Sequence, residues 1–137
     1  MIDNVVKITT WIEESLARTS CKGFVVGVSG GIDSALTSTL CAMTERPVIV
    51  VSMPINQDHS QHSRAETHMK WLCRKFKNVK MLTKDLTPVF RSFEEVACNA
   101  SELALANTAS RLRMVMLYSV ANTENLMVVG TGNKVED

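Results

Sequence analysis

Apolar residues Val5, Ile8, Ile12 and Leu16 recur at helical spacing and predict an amphipathic helix over residues 4–18. A turn over residues 20–23 then leads to the apolar run Phe24-Val25-Val26, a first strand over residues 24–28. Residues 32–44 read as a helix, with Pro47 just past its end. The stretch 48–53, continuously β-branched from Val48 to Val51, has the pattern of a strand buried on both faces, and Pro54 stops it. A polar loop over 56–63 runs into a helix over 64–76, and residues 79–82 form a short third strand. Residues 86–96 read as a helix interrupted early by Pro88. Residues 103–122 carry a longer helical pattern whose first turn also suits a loop. A fourth strand over 126–129 ends at Gly130-Thr131-Gly132.

Strands alternating with helices imply right-handed βαβ units, hence an α/β fold with a parallel sheet and helices on both faces. Ligands of such sheets bind beyond the carboxyl ends of the strands. The turn after the first strand, Met53 after the second and Thr131 after the fourth are therefore expected to share one edge. No repeat, low-complexity tract or linker divides the 137 residues, a length that suits one domain around one core.

The turn after the first strand reads Gly27-Val28-Ser29-Gly30-Gly31-Ile32-Asp33-Ser34. A strand feeding a Ser/Gly-rich turn that opens a helix is a phosphate cradle. Backbone N–H groups at the helix start point at the anion, and glycines let the backbone come close. Ser29, Gly30, Gly31 and Ser34 supply N–H and hydroxyl groups for that task. The run lacks the Gly-Lys-Ser/Thr ending of a Walker A loop. Asp33 beside an anion calls for a cation between the two charges, and Mg²⁺ takes one or two carboxylates together with phosphate oxygens. The alternative is a Gly-rich turn in which Asp33 and Ser34 cap the helix.

A second constellation lies near the end: Asn107, then Arg111-Leu112-Arg113-Met114, then Gly130-Thr131-Gly132-Asn133-Lys134-Val135-Glu136. Arg111 and Arg113 are read at the start of a helix, where the macrodipole disfavours cations. They are either solvated or meet an anionic partner. Glu136, just past Thr131, is placed to reach the same metal as Asp33.

Fifteen basic and 14 acidic residues leave a net charge of +1, which argues for neither a nucleic-acid surface nor a membrane surface. The longest apolar runs are strand-length, short of the roughly 20 residues of a spanning helix. Met1-Ile2-Asp3-Asn4 lacks the basic-then-apolar pattern of a signal peptide. Cys21, Cys41, Cys73 and Cys98 lie far apart and form no Cys-x-x-Cys pair, so they read as ordinary thiols of a reducing, cytoplasmic compartment. His59, His62 and His68 lie on the polar loop and the following helix without further ligand spacing, and are read as surface histidines.

The cradle resembles the Ser-Gly-Gly-x-Asp-Ser loop of the ATP pyrophosphatases. With the Arg-Leu-Arg-Met helix and the Gly-Thr-Gly-Asn-Lys-x-Glu strand end, in this order, the chain is similar to the ammonia-dependent NAD synthetase family from about residue 24 to 136. The resemblance implies an adenine nucleotide α-hydrolase-like, Rossmann-like fold. It also implies ATP-dependent amidation of deamido-NAD with ammonia through an adenylate, releasing AMP and pyrophosphate. By matching positions, Gly27, Val28, Ser29, Gly30, Gly31, Ile32, Asp33 and Ser34 would bind ATP. Thr131 would contact ATP, and Met53 would lie by the adenine, mainly through its backbone. Arg111 would contact deamido-NAD, and Asp33 and Glu136 would hold Mg²⁺. Relatives continue for roughly as long again, so residues 1–137 are read as a single domain truncated at its C-terminus, dimeric in the complete enzyme. No glutaminase is visible, so ammonia comes free or from a separate glutaminase. Ile55-Asn56-Gln57 stands where many relatives carry an aromatic residue. Two other readings are another ATP pyrophosphatase with a different acceptor and a nucleotide-binding fragment without turnover.

Overall fold

In the computed structural model, which describes residues 1–56 and 59–132, the apolar runs become the four strands of one parallel sheet. The elements are α1 (Ile2–Ala17), β1 (Gly23–Gly27), α2 (Ile32–Ala42), β2 (Val48–Ser52), α3 (His59–Lys75), β3 (Val79–Thr83), α4 (Thr87–Ala97), α5 (Glu102–Glu124) and β4 (Leu126–Val129). The sheet order is β3-β2-β1-β4, with Val26 in register with Val50 on one side and Val129 on the other.

Alternation along β1 divides the core. Phe24, Val26 and Val28 point to one face and pack with Ile12 and Leu16 of α1, Leu40 and Cys41 of α2, and Met69 and Leu72 of α3. Val25 points to the other face, with Val51, Leu117, Val120 and Ala121. Phe24, Val25 and Val26 are 0% exposed, as a central parallel strand covered on both sides demands.

Three elements differ from the sequence expectation. The helix predicted from residue 64 begins at His59. Its first turns are polar and carry no apolar period, but they abut the cradle: a Cβ placed on Gly30 would lie 2.6 Å from the Gln61 carbonyl oxygen. Tertiary packing, rather than pattern, starts this helix. Pro88 does not interrupt α4. It sits in the first turn, where its fixed φ suits the helix and its missing N–H has no intrahelical partner to lose. Finally, α5 begins at Glu102, capped by the Ser101 hydroxyl, which accepts from the Ala104 N–H at 3.1 Å. Arg111 and Arg113 therefore stand in the middle of a helix, and the macrodipole argument for an anionic partner does not apply to them.

Candidate nucleotide-binding cleft

The sharp turn after β1 folds on itself. The Ser29 N–H donates to the Ser34 hydroxyl at 3.1 Å, the Ser34 hydroxyl donates to the Gly31 carbonyl at 3.2 Å, and the Gly31 N–H donates to the Ser29 hydroxyl at 3.3 Å. Gly30 holds φ +92°, which an L side chain rarely adopts. Gly31 is the N-cap of α2 and has no side chain, so neither Asp33 nor Ser34 caps the helix. Ser34 instead binds the turn to the helix, and Asp33 stands half-buried in the first helical turn. Ile32 is 81% exposed.

Beneath this arrangement, the buried Ser38 hydroxyl donates to the Ser34 carbonyl at 2.7 Å and lies 3.0 Å from His68 Nε2. The His68 ring stacks on Trp71 at 5.8 Å, and burial pushes its pKa down. His68 is thus half-buried and ties α3 to the cradle helix, contrary to its reading as a surface histidine. His59 is exposed, and His62 lies 3.7 Å from the Glu66 carboxylate.

A cleft of about 520 Å³ opens at the carboxyl edge of the sheet. Its floor and near wall are Gly27, Val28 and Ser29, with Met53 from the end of β2 and Thr131 from the end of β4. These candidates from three strand ends do share one edge. Gly27 leaves the floor low: a Cβ there would meet Met53 Cε at 3.2 Å and Leu117 Cδ1 at 3.4 Å. The far wall is one face of α5, where Ser110, Arg113, Met114 and Leu117 follow the i, i+3, i+4, i+7 spacing. Gln61, Ile55 and Asn56 close the third side.

Arg111 is exposed and does not line the cleft. Arg113, two residues on and so about 200° further around the helix, does. Its Nε–H donates to the Met53 carbonyl at 2.9 Å, and burial lowers its pKa. The sequence reading noted Arg113 but carried only Arg111 into the site. Arg113 is one helical turn from the buried Leu117, a spacing that puts both on one face once that burial is known. Glu136 lies outside the described residues.

Among the described residues, no group of three or more His, Cys, Asp or Glu side chains is placed to hold a metal by itself. No disulfide joins the cysteines, and burial pushes the Cys41 thiol up to about 12, which rules it out as a ready thiolate. No helix among the described residues is long and apolar enough to cross a membrane.

A family model described as NAD synthase matches residues 4–137. The NH(3)-dependent NAD(+) synthetase of Methanococcus aeolicus is 34% identical over 136 residues, covering 95% of this chain and 52% of the relative. That of Malacoplasma penetrans is 38% identical over 131 residues, covering 95% of this chain and 51% of the relative. Among solved structures, the NH3-dependent NAD synthetase from Campylobacter jejuni subsp. jejuni superposes with a TM-score of 0.86 at 30% identity, covering 96% of this chain and 56% of the other. The NMN synthetase from Francisella tularensis superposes with the same TM-score of 0.86 at 28% identity, covering 96% and 54%. The chain spans about half the length of the curated relatives it matches.

Proposed function

Because the chain belongs to the NAD synthase family, we propose that it forms the nucleotide-binding part of an enzyme that amidates deamido-NAD to NAD. ATP and ammonia are the co-substrates, and AMP and pyrophosphate are released. The observation that carries this reading is the gathering of Gly27, Val28, Ser29, Met53 and Thr131 around one cleft at the carboxyl edge of the sheet. The cradle and the uncapped start of α2 would hold the ATP phosphates, and Met53 and Thr131 would hold the rest of the nucleotide.

The chemistry needs alignment more than reactive side chains. The carboxylate oxygen of the nicotinic acid ring attacks the α-phosphorus and pyrophosphate leaves. Ammonia then attacks the acyl carbon, loses a proton, and AMP departs with the carboxylate oxygen. Holding the two anions in line and offsetting charge on the phosphates supplies most of the acceleration. No covalent nucleophile is required, in keeping with the raised pKa of the Cys41 thiol.

Magnesium fits this site through Asp33, a half-buried carboxylate in the helical turn that opens at the cradle. Mg²⁺ takes a carboxylate or two and fills the rest of its shell with phosphate oxygens and water, so no all-protein cage is needed. When bound, it neutralises phosphate charge. Glu136 is the second ligand in this proposal, and Arg111 contacts deamido-NAD from the flank of α5. A homodimer, a cytoplasmic location and ammonia supplied free or by a separate glutaminase belong to the same proposal. The exposed apolar side chains Val89, Phe93, Val96, Val115 and Tyr118 on α4 and α5 support a further partner surface there.

The equal likeness to an NMN synthetase favours one second reading, amidation of a mononucleotide acceptor. Incubation with Mg²⁺-ATP, ammonium and either deamido-NAD or its mononucleotide counterpart, for this chain and for the product of its complete reading frame, separates the two. Equal amounts of NAD and AMP support the leading reading. Product from the mononucleotide alone selects the second, and AMP from neither acceptor sinks both.

A further inference from the structure

The cleft wall carries a cation with no counter-ion among the described residues. Arg113 is half-buried, and none of the described residues that line the cleft is acidic. Glu66 pairs with Lys70 and His62 away from the cleft wall, all on α3. Arg113 makes one hydrogen bond, from Nε–H to the Met53 carbonyl, and its Nη groups have no partner among the described residues. A partly desolvated charge left in this state is costly unless something of opposite sign joins it.

The single bond that Arg113 makes is also informative. It anchors the guanidinium at the end of β2 through Nε–H and leaves the Nη groups for another acceptor. A planar donor set is suited to phosphate oxygens, which it meets in paired hydrogen bonds. Across the cleft stand Gly27, Val28 and Ser29, the first residues of the cradle run. A phosphate-bearing ligand in that cleft therefore lies between the strand end that opens the cradle on one wall and a cation on the other.

We propose that Arg113 is the anion-binding residue of the cleft wall, taking a phosphate group of a bound nucleotide while its Nε–H stays on the Met53 carbonyl. The inference rests on the reading of the cleft as a nucleotide site and goes beyond it by assigning a residue that the family resemblance left without a role. The phosphate has two possible sources, ATP or the dinucleotide substrate, and one experiment distinguishes them.

The test is equilibrium titration of the purified chain, wild type, Arg113→Met and Arg113→Lys, with ATP, with deamido-NAD and with adenosine. Adenosine carries the base and ribose but no phosphate. Circular dichroism confirms that each variant is folded. Arg113→Met is expected to weaken one phosphate-bearing ligand by roughly 10- to 100-fold, the cost of losing a charge-assisted hydrogen bond, while adenosine binding changes less than about twofold. Loss on ATP alone assigns the triphosphate, and loss on deamido-NAD alone assigns the dinucleotide. Arg113→Lys should recover part of the loss, since it restores the charge but not the fork. A parallel fall for adenosine overturns the proposal, because Arg113 then acts only by holding Met53. Unchanged affinity for all three ligands also overturns it. Wild-type chain that binds no nucleotide removes the nucleotide-site reading itself, an outcome distinct from a failure of Arg113.

Discussion

The two faces of the sheet are built differently. On one face three helices close the core: α3 buries Ala65, Met69 and Leu72 within 17 residues, and Met69 and Leu72 are 0% exposed. On the other face α5 runs for 23 residues yet buries only Leu117, Val120 and Ala121, while α4 buries only Phe90. The closed face holds the cradle from below, through the Ser34–Ser38–His68 chain of hydrogen bonds and the contact of Gln61 with Gly30. The open face provides the opposite wall of the cleft. A ligand site needs both: one side rigid enough to fix backbone N–H groups, the other uncovered enough to admit a nucleotide.

The comparison is broken most forcefully in the closed core. Leu72→Ala should cost about 3–5 kcal/mol, since the cavity it leaves is sealed by α3 and the sheet. Leu117→Ala, whose removed volume opens onto the cleft, should cost only about 2 kcal/mol, because water fills the space. Chemical denaturation of both variants checks the ranking, and equal losses would mean that the two faces are equally sealed.

Gly30→Ala tests how the closed face holds the cradle, through the contact of Gly30 with α3. A Cβ at φ +92°, 2.6 Å from the Gln61 carbonyl, forces the turn or the start of α3 to shift, at about 1–3 kcal/mol. Nucleotide affinity should fall by more than stability does, which titration alongside thermal unfolding would reveal. Asp33→Ala should leave the fold intact and abolish Mg²⁺-ATP use in the complete enzyme; full activity in that variant would remove the cradle assignment.

A smaller effect sharpens the picture by pH. Burial depresses the pKa of His68 from its ordinary value of 6.5, with a hydrogen bond to the Ala35 backbone acting the other way. A lowered histidine pKa means that the unfolded chain takes up the proton first. The stability due to neutral His68 is thus fully present above pH 6.5 and is lost as pH falls towards the lower folded value. Denaturation midpoints at pH 7.5 and 5.5 should differ more in the wild type than in His68→Gln. The slightest change is expected at Val96→Ser on the open face, where a side chain 84% exposed contributes within about 0.5 kcal/mol.

The same contrast explains what was legible in the sequence. The runs at 24–28 and 48–53 announced themselves because a strand covered on both faces must be apolar throughout, and Pro54 marked the stop. Strands alternating with helices then implied a parallel sheet, and with it the shared edge of the cradle, Met53 and Thr131, while the order β3-β2-β1-β4 is seen only in the structure. The first turns of α3 were illegible because His59-Ser60-Gln61-His62-Ser63 contains no apolar residue to set a phase. Which of Arg111 and Arg113 lines the cleft was illegible for the opposite reason. Leu112, Met114, Val115, Met116, Leu117 and Tyr118 surround the arginines with apolar side chains on every side, so the phase of α5 cannot be read locally. Only the buried trio Leu117, Val120 and Ala121 fixes it, and it places Arg113 inward.

The most direct test of the account is amide hydrogen exchange of the chain with and without Mg²⁺-ATP. The account predicts added protection at residues 27–34, at 53–56 and along 110–117, with little change in α1 or in the second half of α3. Protection concentrated on the closed face, or none at the cradle and the α5 wall, would contradict the assignment of the cleft as the nucleotide site.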